Sequence, residues 1–226
     1  MKYLVPLRVE KIEYGYLYAG SALDRLLLAV LRWKETLTNE SAIEYCVYGL
    51  GRRTKRIRLC LSRFQKIFEK EAAGKKISDK LRFEETAFLN MFFIDLSGAL
   101  DNLAQALILE NGIDQSINKI SLQNPETLKH MPVLLKESMR RHSRWLQEHL
   151  ANFRNPVAHR IAPYVPPYIQ TKSGKRIYDS FYIHDFKKSK LMLLHPQVIK
   201  DVNILCEIVQ SGIARLPHNA HSHLRR

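Results

Sequence analysis

A chain of 226 residues with 46% hydrophobic side chains has the composition of a soluble globular protein and the length for one domain with a substantial core. Its 36 lysines and arginines against 22 acidic residues leave a formal net charge of +14, which points to an anionic partner, nucleic acid before membrane, or else to a generally basic solvated surface. The three cysteines, Cys46, Cys60 and Cys206, lie in apolar surroundings without a Cys-x-x-Cys pair, which argues against a disulfide framework or zinc site and reads as reduced core thiols.

Pro6 and Arg8 interrupt the N-terminal segment before a secretory apolar run develops, and no run is expected to reach membrane-spanning length, so a cytoplasmic location is expected. The first fifteen residues alternate loosely at Tyr3, Val5, Leu7 and Val9, as an edge strand or extended arm would. Leu23, Leu26, Leu27, Val30, Leu31 and Trp33 then recur at helical spacing and predict a helix over residues 16–37. A helix restarts over 41–47, is weakened by Gly49 and Gly51, and continues over 54–73. Between these parts Arg52, Arg53, Lys55, Arg56 and Arg58 form a basic cluster. Arg52, Arg56 and Arg63 share one flank, either a phosphate-tracking stripe or an ordinary solvated face. Residues 73–76 read as the boundary of an N-terminal helical hairpin, 1–75, attached to the rest of a single domain spanning 1–216.

Residues 79–110 form the longest periodic segment, closed by Asn111-Gly112, and their apolar stripe predicts a central bundle helix. Asp95 and Asn102 share a face of it, with Gly98 and Ala99 between them allowing close approach of another helix. An unpaired buried carboxylate is costly, and Arg154 is the candidate partner; the alternative is a surface-facing pair or a local structural hydrogen bond. Asp101 is expected to be exposed. Asn124-Pro125-Glu126 caps a short helix, and Pro132 opens a longer one to about Arg154. Arg140, Arg144, Gln147, Ala151 and Arg154 would line a separate basic track on it.

Pro163, Pro166 and Pro167 favour extended backbone, and residues 168–171 and 176–183 flank Ser173-Gly174 as a small β-hairpin before the last helix. Tyr164, Tyr168, Tyr178 and Tyr182 suit either base stacking or cross-strand packing. His195-Pro196 starts the final helix, and residues 217–226 read as a disordered basic, His-rich tail. The fold expected is thus mainly α, a helical bundle with a β-hairpin insertion.

Chemistry is expected at Phe153-Arg154-Asn155-Pro156-Val157-Ala158-His159-Arg160. Asn155-Pro156 reads as a helix start, with Asn at the cap and Pro at the first position, so that free N–H groups and Arg154 would face a phosphate. His159 would take or give protons near neutral pH, while Asn155 and Arg160 would support the contact. Arg144 with His149 repeats the spacing inside one continuous helix, and Arg215 with His221 falls in the tail, so context distinguishes Arg154/His159.

The Arg, four residues, His pattern, with a polar residue directly after the Arg, resembles the signature of the HEPN superfamily of small helical proteins. The Asn-Pro pair and the following proline-rich segment depart from its commonest form. The resemblance implies a HEPN-like bundle, a metal-independent endoribonuclease without cofactor, and catalysis by Arg154 and His159. It also implies a homodimer sharing a cleft, and a toxin or phage-defence role with a neutralising antitoxin protein. The alternatives are a non-catalytic RNA- or nucleotide-binding module and a partner-binding helical protein.

Overall fold

The computed structural model describes residues 6–159, 162–170, 176–177, 179–183 and 191–214; of Pro6, Leu7, Pro156, Ala158, His159, Ile169, Gln170, Arg176 and Ile177 it describes the backbone only. The described residues form a helical bundle with a small antiparallel hairpin before the last helix.

Helix α1, Pro6–Lys34, begins ten residues earlier than the periodicity of its core suggests. The expected arm or edge strand is corrected from Pro6 onward, and Met1 to Val5 lie outside the described residues. Ile12, Tyr16, Ala19, Leu23, Leu26 and Val30 are buried at helical spacing, and this long stripe outweighs a short alternation. Pro6 at the helix start loses no intrahelical hydrogen bond.

Asn39 caps α2, Glu40–Glu44, by accepting from the Ala42 N–H at 3.0 Å. The glycines do not end the helix but widen it: Tyr45–Gly51 is π-helical and runs directly into α3, Arg52–Ala72. Gly74, at φ +68°, terminates α3.

Helix α4, Asp79–Glu110, has the bounds expected from its periodicity and the Asn111-Gly112 stop. Ser78 accepts from Leu81 N–H at 3.3 Å, and Gly112, at φ +61°, turns the chain away beyond Asn111. It packs against α3, α2 and the π-turn, so most of its circumference is covered. It is long and apolar enough to cross a membrane, contrary to the reading that no run is, and 61% of that window lies inside the bundle.

Asn124 caps α5, Pro125–Lys129, by accepting from Glu126 N–H at 3.0 Å. The single helix expected beyond Pro132 is broken: α6, Val133–Arg141, ends at His142, and a second π-turn, Trp145–Leu150, leads into α7, Ala151–His159. Strands β1 Ile169–Gln170 and β2 Arg176–Ile177 pair antiparallel, as do β3 Phe181–Tyr182 and β4 Met192–Leu193. Helix α8, Leu194–Ile213, packs on α1 and α6. Gly15 admits Ile199 of α8, whose nearest atom lies 3.0 Å from where a methyl group on Gly15 would sit.

One continuous core joins α1, α3, α4 and α8. Each fully buried Leu or Phe in it contributes roughly 1.5–3 kcal/mol by leaving water. Phe93 of α4 stacks on Phe153 of α7 at 5.1 Å, and Phe153 meets Tyr182 of β3 edge-on at 4.8 Å, which fixes α7 and β3 against the central helix.

Candidate nucleic-acid interface

Arg154 and Asn155 are exposed on α7, and Arg154 Nη1 donates to Asn155 Oδ1 at 3.1 Å. Helix α7 runs through the Asn-Pro pair, so Asn155 is not a cap and the motif does not open a helix. This corrects the anion site expected from free N–H groups of Val157 and Ala158, which fall inside the helix and not in its first turn. Proline inside a helix costs about 3 kcal/mol in general. Here it falls near the end, where only the Asn152 carbonyl is deprived of a donor, and Phe153 is anchored on Phe93. The side chain of His159 and the whole of Arg160 lie outside the described residues, as do Tyr178 and the tail.

Asp95 does not pair with Arg154. It is fully buried, with Arg53 Nη1 at 3.1 Å from Oδ1 and Arg56 Nε at 2.8 Å from Oδ2. Burial pushes its carboxyl up against the pull of the two guanidiniums. Gly98 explains why Arg53 reaches it: a methyl group there would overlap the Arg53 guanidinium, which lies across the α4 backbone. The close approach anticipated at Gly98 is therefore made by an arginine.

Asp101, expected to be exposed, is partly buried and accepts from Ser121 Oγ at 3.1 Å. Burial pushes its carboxyl up, while Ser121, Arg154 and Arg53 oppose the rise. Arg154 and the Arg53 side of α4 thus act on one carboxylate.

Asn102 packs against the first π-turn, its side-chain amide 2.7 Å from where a Gly49 methyl would stand. It lines a groove of about 830 Å³ together with Tyr45, Tyr48, Arg52, Arg53, Lys55 and Arg56. The Arg52 guanidinium lies 4.9 Å from the centre of the Tyr48 ring. Asn102, Arg52 and Arg56 thereby line one groove, and Arg56 also pairs with the buried Asp95. Arg63, assigned to the same flank, faces a separate groove beside Phe88, at 5.7 Å. Arg140 and Arg144 are exposed, the latter paired with Glu148 at 2.8 Å, and the break at His142 with the second π-turn interrupts a regular track from Arg140 to Arg154. Tyr182 is fully buried and unavailable to a base.

A second polar assembly lies inside the bundle, and the sequence gives no periodic signal for it. Burial, reinforced by Glu85 and Glu71, pushes the Tyr16 phenol well up. It remains a donor to His195 Nδ1 at 2.6 Å, leaving Nε2–H for Glu71 at 2.8 Å. Arg82 bridges Glu71 and Glu85, each at 2.8 Å, and donates to Ser180 Oγ. Ser180 Oγ lies 2.7 Å from Glu71 and 2.8 Å from Glu85, so one hydroxyl proton serves two carboxylates. Burial pushes the Glu85 carboxyl up despite Arg82. Two glutamates this deep in an otherwise apolar setting require an arginine, and Arg82 at the start of α4 is the local hint. This assembly ties β3 to α1, α3, α4 and α8.

The chain matches no protein-family model, no curated protein and no solved structure.

Proposed function

We propose that the protein is a metal-independent endoribonuclease of HEPN type that cleaves RNA through the 2′-hydroxyl, in a toxin or phage-defence setting. The observation that carries this reading is the state of Arg154: exposed, steadied by Asn155, and in no ion pair among the described residues, five positions before His159 on the same helix. A guanidinium so presented can hold two non-bridging phosphate oxygens. His159 accepts the 2′-hydroxyl proton as O2′ attacks phosphorus, Arg154 stabilises the charge gathering on the phosphorane, and the P–O5′ bond breaks as O5′ takes a proton. Products are a 2′,3′-cyclic phosphate and a 5′-hydroxyl. RNA carries its own nucleophile, so the reaction does not require a metal.

One histidine supplies only one of the two proton transfers, which favours a homodimer in which the His159 of a second copy supplies the other. The unbroken helix also supports a second reading, an RNA-binding module in which the pair grips phosphate without cleaving.

Incubation with labelled RNA in excess EDTA separates the two. The ribonuclease reading expects cyclic-phosphate ends from the wild type, lost in both His159→Ala and Arg154→Ala with RNA affinity retained in His159→Ala. Intact RNA that remains bound supports the module.

A further inference from the structure

We propose that the groove formed by the first π-turn, the start of α3 and α4 is a binding platform for single-stranded nucleic acid, stacking bases on Tyr48 and holding phosphates with Arg52, Lys55 and Arg56. It takes RNA as ligand from the ribonuclease reading but uses a different site, so each stands or falls separately.

The charges there exceed what the fold consumes. Arg53 and Arg56 neutralise Asp95, and Arg56 remains half exposed, at 50%. Arg52 and Lys55 are exposed and make no ion pair among the described residues, leaving Glu44 as the groove's own acid. Such cations follow a phosphate backbone.

The aromatic component is independent of charge. Tyr48 is 59% exposed although its ring is large and apolar, and Arg52 lies over it, so a guanidinium plane and a phenol ring stand together at the groove. Base stacking on such a surface is tolerant of sequence and needs unpaired bases, because a duplex hides its base faces. The wide turn of residues 45–51 sets Tyr45 and Tyr48 on the wall facing Asn102, whose amide offers donor and acceptor to a base edge.

The test is fluorescence anisotropy with a labelled 2′-O-methyl RNA oligonucleotide of about a dozen nucleotides, uncleavable through its sugar, beside the same sequence as a duplex. Tyr48→Leu is expected to weaken single-strand binding about tenfold and to leave duplex binding and the salt slope unchanged. The double variant Arg52→Gln/Lys55→Gln is expected to lower the slope of log affinity against log salt by about 1.4. Arg63→Gln, in the separate groove, is expected to bind as wild type. Wild-type affinity in both groove variants overturns the proposal, as does an equal loss on duplex in Tyr48→Leu or a wild type that binds no single strand. If the platform binds as expected while unmodified RNA survives in EDTA, only the ribonuclease reading falls.

Discussion

Gly98 determines where Arg53 lies, and Arg53 helps determine whether Asp95 can remain charged in the core. In Gly98→Ala the new methyl group meets the guanidinium, which must leave the α4 backbone and release Asp95 Oδ1. The expected loss is about 1–3 kcal/mol in urea unfolding, the cost of one unsatisfied buried group. Arg53→Gln in the same background should add little, because the contact is already gone; a full additional loss would show that Arg53 still reaches Asp95. The cysteines show the same logic of burial. It pushes the thiol of Cys46 up to about 11 and those of Cys60 and Cys206 up to about 12, so little thiolate exists at neutral pH. A thiol reagent should label all three only on unfolding, and rapid labelling of the native protein would contradict their burial.

At the scale of elements, the Asn124 cap and the Asn111-Gly112 stop were legible, whereas the caps at Asn39 and Ser78 emerge from the structure. Asn39→Ala removes the acceptor for Ala42 N–H at the α2 start and should cost about 1 kcal/mol. Glu110, at the far end of α4, receives the N–H groups of Thr38 and Asn39, each at 3.0 Å, and so ties that cap to the central helix. Helix α4 was readable because its apolar period is long and Asn111-Gly112 stops it within one turn; the Ser78 cap is a finding of the structure. Asn155-Pro156 carries an equally strong local signal for a start, yet α7 passes through it, since Phe153 between Phe93 and Tyr182 fixes the helix axis. The two π-turns were invisible: a π-turn needs only one extra residue per turn, and glycines at 49 and 51 fit a helix end as well as a widened turn.

Across the whole molecule, the Tyr16–His195–Glu71–Arg82–Glu85–Ser180 assembly joins elements far apart in sequence. Arg82→Met removes the guanidinium shared by Glu71 and Glu85 and leaves Glu85 with the Ser180 hydroxyl alone, and a loss of about 3–5 kcal/mol in urea unfolding is expected. Burial alone would raise the Glu71 carboxyl, but His195, Arg82 and Ser180 outweigh it and hold it below its ordinary range. A depressed carboxyl contributes stability above its unfolded pKa and loses it as pH falls through the folded one. Glu71→Gln should therefore differ most from wild type near pH 7, with the gap shrinking by about pH 3. A constant gap would mean that the charge on Glu71 contributes nothing.

The helical class, the extent of α4, the cap at Asn124, the stop at Asn111-Gly112, the hairpin before the last helix and the basic character are legible in residue order, because each rests on periodicity, capping chemistry or composition acting over a few residues. Packing gives Asp95 to Arg53 and Arg56, brings Asn102 and Tyr48 to one groove, and carries α7 through Asn155-Pro156. Partner choice for a buried charge depends on which cation the packed backbone brings within about 3 Å, and no local pattern records that distance.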